Sequence, residues 1–211
     1  EWNLTMLDSQ NNSLVLDPFF GNTTQNWTSE GAVMLATDSS NHYAGCGVGD
    51  TLYWSIADNA TLSVTGSLTL AAWIKPESNT AATQYDVISK WDSGTESYSL
   101  VQYGDEIRMY IDSTGNYVTS DSANLATGTW YHVAGVYNSS TASVNILVNG
   151  LVVTSTITGT IPSSITDEAS VFHLGAEDSS GSADSHYDGV IDEARVYNRA
   201  LSPAEIAKLY S

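Results

Sequence analysis

Apolar and polar residues alternate along most of the chain with a period of two, which is the period of a pleated strand. Such runs recur at intervals of about ten residues, and clusters of Asn, Asp, Gly and Ser separate them as turns. The clearest pair lies at 144–148 and 151–153, because Asn149-Gly150 between two alternating runs is a strong hairpin signal. The pattern predicts an all-β protein, built as a sandwich or a barrel.

The end of the chain predicts one strand followed by a short helix. Alternation would place two sets of residues on opposite sides of this strand: Val190, Asp192, Ala194 and Val196 against Ile191, Glu193, Arg195 and Tyr197. The helix has a complete start signal, with Ser202 as N-cap, Pro203 at the first helical position and Glu205 closing a capping box.

Two earlier strands carry aromatic residues of interest. In 68–76 the ring of Trp73 alternates with aliphatic side chains, and we expect it in the core. In the strand at 107–111, one face would be apolar (Ile107, Met109 and Ile111) and the other polar and aromatic (Arg108, Tyr110 and Asp112). A charged pair flanking an aromatic residue indicates that the second face is open to solvent.

The closing segment Gly189-Val190-Ile191-Asp192-Glu193, continued by 194–206, resembles the last motif of laminin-G-like, concanavalin A-like jelly-roll domains. The stretches at 68–76 and 128–137, with Trp130, His132 and Ala134 in a W-x-H-V-A pattern, resemble the same family. The resemblance covers 67–211, whereas 1–66 are divergent. It implies a single domain over 1–211, folded as a two-sheet antiparallel jelly-roll sandwich with a short C-terminal helix.

The same resemblance implies a structural calcium ion bound by Asp192, for which Asp17 and Asp50 are the nearest N-terminal partners. A salt bridge with a residue such as Arg195 is the alternative, because a half-buried carboxylate needs a compensating cation. The acidic loop at 177–188 offers carboxylate and hydroxyl oxygens that suit calcium, and it would otherwise be a solvated loop.

Charge and composition narrow the partners. The net charge is -18, which disfavours nucleic acid and anionic membrane surfaces and also suits a soluble surface. No apolar run approaches the ~18 residues that span a bilayer, so we expect no membrane insertion. Glu1 does not begin a signal peptide, and the chain is interpreted as a mature or excised segment of a larger multidomain protein. The single cysteine, Cys46, excludes an intramolecular disulfide.

Asn-x-Ser/Thr sequons indicate an exported glycoprotein, extracellular or on the cell surface. The candidate acceptors are Asn3, Asn11, Asn22, Asn26, Asn59 and Asn138.

Catalytic motifs are scarce in the sequence. Resemblance to laminarinase-like and alginate-lyase jelly rolls would require E-x-D-x-x-E, R-x-E-x-R or Q-I-H signatures, which do not occur, and the four histidines form no H-E-x-x-H pair. We therefore expect a non-catalytic, calcium-stabilised module that binds a glycan or a cell-surface partner protein. The alternatives are a structural or assembly domain of a surface protein or filament and, third, a polysaccharide-active enzyme.

Sugar recognition needs aromatic surfaces and polar groups that converge on one concave site. The predicted ligand-binding residues are Trp91, Arg108, Tyr110, Asp112, Asp184 and His186. A place in the core or on the rim is the alternative for each aromatic residue among them.

Overall fold

The computed structural model describes residues 53–58, 60–92, 94–112, 115–121 and 123–211, together with the backbone of four short strands between 14 and 46. The described residues form eighteen strands and one helix. In chain order these are β1 (Leu14–Leu16), β2 (Thr28–Glu30), β3 (Met34–Thr37), β4 (His42–Cys46), β5 (Tyr53–Ile56), β6 (Leu68–Pro76), β7 (Gln84–Lys90), β8 (Tyr98–Tyr103), β9 (Glu106–Ile111), β10 (Tyr117–Ser120), β11 (Tyr131–Asn138), β12 (Ser143–Val148), β13 (Leu151–Val152), β14 (Ser155–Thr158), β15 (Phe172–Leu174), β16 (Glu177–Asp178), β17 (Ala183–Asp184), β18 (Gly189–Tyr197) and α1 (Pro203–Tyr210).

The described strands form two large antiparallel sheets and one small hairpin. Sheet A has the order β13-β12-β11-β6-β18-β4-β3, with β1 also paired to β18. Sheet B has the order β14-β10-β9-β8-β7-β15-β5-β2, and β16 pairs with β17 in the hairpin. The two-sheet sandwich with a short C-terminal helix, predicted from the sequence, is therefore confirmed.

The main core lies between the inner faces of the two sheets, as the period of two requires. Leu70, Ala72 and Ile74 of sheet A and Leu100 and Met109 of sheet B belong to one buried cluster. The sheets approach closely at residue 135 of β11, where a Cβ would lie 2.6 Å from the Met109 sulfur. A glycine there lets the two inner faces pack without a cavity or a clash.

Trp73 differs from the prediction that places it in the core. It lies on the outer face of sheet A and is only partly buried. Its ring stacks on Tyr210 of α1, with centroids 5.6 Å apart and an interplanar angle of 29°. Side chains alternate along β6 as predicted, but Trp73 is one of the side chains that face away from the core of the sandwich.

Strand β18 contains a β-bulge, which the sequence pattern did not reveal. Asp192 pairs with Trp73 and Arg195 with Ala71, so two residues of β18 face one residue of β6. Glu193 at the bulge has a positive φ of 46°, a conformation that is uncommon for a residue with a Cβ.

The predicted alternation in β18 is therefore wrong beyond the bulge, which shifts the period by one residue. The inward set that joins the main core is Ile191, Ala194 and Val196. The outward set is Asp192, Arg195 and Tyr197. Asp192 and Arg195 thus share one face of sheet A.

The local signals for the terminal helix and for the hairpin are confirmed. The Ser202 side chain accepts from the Glu205 N–H, and the Glu205 carboxylate accepts from the Ser202 N–H at 2.7 Å, which completes the capping box. Ile206 of α1 is buried in a second apolar cluster on the outer face of sheet A. In the hairpin, Asn149 and Gly150 have φ of 51° and 76°, as a two-residue turn of this type requires.

No helix in the described part of the chain is long and apolar enough to cross a membrane.

Candidate binding site on the outer face of sheet B

Aromatic residues line the outer face of sheet B because they alternate with the core residues of β9. Tyr110 lies opposite Tyr117 of β10, and Arg108 lies opposite Val101 of β8. Between them, Met109 is fully buried in the main core. The sequence prediction of an apolar face and a polar, aromatic face on this strand agrees with the structure for Arg108 and Tyr110.

The rings on this face contact one another in a row. The Trp91 and Tyr110 centroids are 5.5 Å apart in an edge-to-face arrangement, and those of Tyr110 and Tyr117 are 4.9 Å apart. The Arg108 guanidinium lies 3.3 Å above the Tyr103 ring and 4.8 Å from the Tyr117 ring. These contacts stabilise the row and engage the Arg108 guanidinium in cation–π interactions.

A cavity of about 310 Å³ lies beside this row. Its lining consists of Gln84, Trp91, Glu96, Ser99, Tyr110, Glu177, Asp178 and Ser179. Trp91 and Tyr110 are only 6% and 8% exposed, so most of each ring is covered by its packed neighbours. Three of the lining residues are acidic and none is basic, which gives the cavity a negative charge.

A hydrogen-bonded carboxylate pair lies next to the cavity. Asp86 is fully buried, and its two oxygens accept from the Ser99 hydroxyl at 2.7 Å and from the Gln84 amide at 2.8 Å. The same Gln84 nitrogen is 3.3 Å from Oε2 of Glu177, whose Oε1 accepts from the Ser185 hydroxyl at 2.7 Å. One amide thus bridges the two carboxyl groups.

The electrostatics of this pair follow from its burial. Burial raises the pKa of Asp86 well above its usual range, the Glu177 charge raises it further, and the bonds from Ser99 and Gln84 oppose the rise. Burial also raises the pKa of Glu177, with Asp184 adding to the effect against the Ser185 bond. Two carboxyl groups in this position hold protons more strongly than isolated ones.

The small hairpin of β16 and β17 forms one wall of the site. It brings Glu177 opposite Asp184, and the Asp86 N–H donates to the Ser185 carbonyl at 2.8 Å, which fixes the hairpin to β7. The His186 ring lies 5.7 Å from that of Tyr53, and burial lowers the pKa of His186. Of the two predicted ligand-binding residues in this region, Asp184 belongs to the hairpin and His186 follows it, and neither lines the cavity.

Asp112 does not belong to this face, contrary to the prediction. It follows the end of β9 with a positive φ of 64°, and its carboxylate accepts from the Thr166 N–H at 2.6 Å. The strand ends one residue earlier than the alternation implied, so Asp112 anchors a neighbouring loop.

Sequence reasoning missed Asp86, Gln84, Ser99 and Glu177 as one cluster. Asp86 carried a usable signal, since a charged residue between Tyr85 and the apolar run after it is unexpected in a strand. Glu177 carried none that would pair it with Asp86, because the two meet only through the crossing of β16 over β7.

A second cavity, of about 330 Å³, lies on the outer face of sheet A near Asp192. It is lined by Trp73, Trp130, Asp192, Glu193, Leu209, Tyr210 and Ser211. Asp192 is 7% exposed, and its Oδ1 accepts from the Glu193 N–H at 2.7 Å. Arg195 donates to Glu193, the residue next to Asp192 in the chain, at 2.9 Å.

Two of the three predicted calcium ligands, Asp17 and Asp50, lie outside the described residues. Within the described ranges, no group of three or more His, Cys, Asp or Glu side chains is arranged to hold a metal ion. Asp192 and Glu193 supply two carboxylates beside one cavity, fewer oxygens than the six to eight that calcium takes.

His132 lies under the same surface. Its ring meets Trp73 edge-on at 5.5 Å, and its Nδ1 is buried without a hydrogen-bond partner among the residues that the structure describes. Burial, followed by the charge of Arg195, lowers the pKa of His132 to about 4. The imidazole is therefore neutral at physiological pH.

Of the six predicted glycosylation acceptors, the structure describes Asn138. Its side-chain oxygen accepts from both the N–H and the hydroxyl of Ser140, at 3.0 and 2.7 Å. The remaining five lie outside the described residues: Asn3, Asn11, Asn22, Asn26 and Asn59.

Solved structures share this fold at low sequence identity. The chain is similar to the binding domain of Paraclostridial Mosquitocidal Protein 1 (TM-score 0.67, 13% identity, 90% of this chain and 48% of that chain). It is also similar to the botulinum neurotoxin serotype D ligand binding domain in complex with N-acetylneuraminic acid (TM-score 0.65, 15% identity, 88% of this chain and 45% of that chain). A third similar structure is the native heptameric SAP-like pentraxin from Limulus polyphemus (TM-score 0.59, 14% identity, 85% of this chain and 80% of that chain).

The chain spans about half the length of the two toxin domains. At these identities the likeness shows the fold alone. No curated protein matches the chain in sequence.

A family model of the laminin G type, described as the concanavalin A-like lectin/glucanases superfamily, matches residues 48–207. Since that match takes in most of the chain, from β5 to most of α1, the protein belongs to the concanavalin A-like lectin/glucanase superfamily.

Proposed function

We propose that this domain is a non-catalytic binding module that takes a neutral or amine-bearing sugar into the cavity on the outer face of sheet B. The observation that carries this proposal is the convergence of aromatic side chains and hydrogen-bonding groups on one preformed cavity. Trp91, Tyr110, Gln84 and Ser99 all border it. Ligand sites of this size combine apolar walls with a few placed polar groups.

The charge of the lining decides the class of sugar. Glu96, Glu177 and Asp178 border the cavity, and the nearby Arg108 is held against Tyr103 and Tyr117. A sugar carboxylate would meet like charges there, whereas hydroxyl and ammonium groups would donate to the carboxylates. This domain is therefore expected to differ from the serotype D toxin domain, which was solved in complex with the anionic N-acetylneuraminic acid.

A binding role is favoured over hydrolysis because the hydrogen-bonded pair of Asp86 and Glu177 is poorly arranged for catalysis. Asp86 is fully buried beneath Ser99 and Gln84, so it has no direct route to a glycosidic bond. A retaining or inverting glycosidase needs two carboxyl groups that flank the scissile bond. Of this pair, only Glu177 lines the cavity.

Calcium at Asp192 is a second part of the proposal. The supporting observations are a nearly buried carboxylate on the outer face of sheet A and the adjacent Glu193, both beside the second cavity. Asp192 would supply one carboxylate to the ion, and Asp17 or Asp50 would complete the set together with backbone carbonyls. When bound, the ion would offset the charge of a carboxylate that is costly to bury.

The proposed setting is extracellular or at the cell surface, with a glycan or a glycosylated surface protein as partner. Support comes from the sequons and from the net charge of -18, which suits a soluble, exported domain that avoids nucleic acid. Asn138 is the last, half-buried residue of β11, and Ser140 is exposed in the turn that follows, so this sequon lies at the surface.

The proposal is tested with a glycan array followed by titration calorimetry on the purified domain, with calcium present. Binding to neutral or amine-bearing glycans, together with no binding to sialylated or uronic-acid glycans, is the expected result. Release of reducing sugar from any bound polysaccharide would reverse the non-catalytic assignment. An array without signal above background would remove the sugar-binding function.

A further inference from the structure

One lateral edge of the sandwich is formed by the two consecutive strands β13 and β14. The Val153 N–H donates to Ile146 of β12 at 3.0 Å, and the Thr154 carbonyl accepts from the Asp121 N–H at the end of β10 at 2.8 Å. The chain thus passes from sheet A to sheet B between two adjacent residues. Among the described strands, β13 is the last of sheet A and β14 the last of sheet B.

This edge is apolar and, although its strands are short, it lacks the charged residues, prolines and bulges that often protect a sheet edge against strand pairing. Leu151, Val152 and Ile157 are 72%, 51% and 57% exposed. The stretch 151–161 contains no proline and no charged residue. Natural sheet edges are usually blunted by lysine, proline or a bulge, and an unprotected edge presents free backbone N–H and C=O groups to another strand.

The distribution of charge identifies the occupant of the edge. Residues 122–166 contain no Asp, Glu, Lys or Arg, although the whole chain has a net charge of -18. Two copies that approach through an acidic surface repel each other, and an edge without charged residues keeps that repulsion small. A basic foreign protein would instead be attracted to the acidic surfaces.

We propose that the 151–158 edge is a self-association surface, at which β14 of one copy pairs antiparallel with β14 of a second copy about a two-fold axis. Such an interface is self-complementary, because the same strand of both copies forms it. It would cover Ile157 and satisfy the outward backbone groups of Ser155–Thr158. A strand of this length buries little area, so the dimer is expected to be weak and to depend on concentration.

The association is independent of sugar binding and is measured by sedimentation velocity on the purified domain. As the concentration rises from about 10 µM to about 1 mM, the mass is expected to increase from 22.5 kDa towards twice that value. Raising the salt from about 20 mM to about 500 mM should strengthen the dimer, because it screens the repulsion between two acidic copies. A basic–acidic interface would show the opposite salt dependence.

Two substitutions locate the interface. Ile157→Lys, which places a charge at the exposed edge, should weaken the dimer at least tenfold. Ala60→Lys adds the same charge at an exposed turn after β5, near the other end of sheet B, and should leave the dimer intact. Amide exchange at 155–158 should slow with concentration in the wild type and not in Ile157→Lys. A monomer at the highest concentration and salt, or a dimer that tolerates Ile157→Lys, would overturn the proposal.

Discussion

The Ser99 hydroxyl donates a 2.7 Å hydrogen bond to Oδ1 of Asp86, a carboxylate without exposed surface. Directly across the β7–β8 pair, Ser89 faces Ser99 in register and is equally inaccessible to solvent. The Ser89 hydroxyl has no hydrogen-bond partner among the described residues. The two serines therefore form a matched pair, of which only Ser99 donates a hydrogen bond to the buried carboxyl group of Asp86.

Replacing these serines should separate the two roles. Ser99→Ala is expected to lower the free energy of unfolding by about 1–3 kcal/mol, because a buried acceptor loses its donor. Ser89→Ala, the control, should change it by less than about 0.5 kcal/mol, since no hydrogen bond is lost. Urea denaturation at neutral pH measures both. Equal losses in the two variants would contradict the assigned role of Ser99.

Asp86→Asn should stabilise the domain in a pH-dependent way. Burial and the Glu177 charge raise the pKa of Asp86 in the folded state, whereas an unfolded aspartate titrates near ~3.9. The wild type therefore loses stability as the pH rises through the raised pKa, because the folded state must then hold a buried charge. The asparagine variant does not lose this stability, because its side chain does not ionise.

The gain of Asp86→Asn over the wild type is thus expected to be largest above neutral pH and smallest below a pH of about 4. Urea midpoints collected across this pH range provide the measurement. A gain that stays constant with pH would show that the substitution acts through packing alone.

His132 should titrate far below an ordinary histidine. Burial and the Arg195 charge lower its pKa to about 4, while the unfolded pKa is ~6.5. The unfolded state then binds the proton first, so this group costs stability as the pH falls from ~6.5 towards 4 and costs nothing above that range. An NMR titration of the imidazole is expected to give a midpoint near 4; a midpoint near ~6.5 would refute the burial of this ring.

Glu177→Gln tests the charge selectivity of the sheet B cavity. Loss of one carboxylate from the lining should weaken binding of an amine-bearing sugar about tenfold and reduce the rejection of an anionic one. Asp121→Asn removes the same charge from an exposed position at the end of β10 and should alter neither. Calorimetry with both sugars provides the comparison, and identical affinities for Glu177→Gln and wild type would place the ligand elsewhere.

Calcium binding at Asp192 predicts a linked change in stability. Saturating calcium, at about 100 times its Kd, should add ~2.7 kcal/mol to the free energy of unfolding, and EDTA should remove it. Asp192→Asn should abolish both the effect and the metal detected by elemental analysis, whereas Asp105→Asn, at an exposed turn, should retain them. If neither calcium nor EDTA changes the melting temperature of the wild type, the calcium part of the proposal is wrong.

Local features of the fold could be predicted from the sequence because few residues decide them. The Asn149-Gly150 turn needs two positive φ angles, which these residue types adopt readily. The capping box of Ser202 and Glu205 closes within three residues. The alternation that directs Arg108 and Tyr110 away from the core follows from the pleat itself.

Only the tertiary structure decided the composition of the candidate site and the orientation of the last strand. Gln84 and Glu177 are 93 residues apart in the chain, and they meet because β16 crosses β7. The bulge at Glu193 depends on the register of β18 against β6, which no local pattern encodes. The sequence alone determined which residues can form strands, turns and the helix, whereas the pairing of distant strands determined which of their side chains share a cavity.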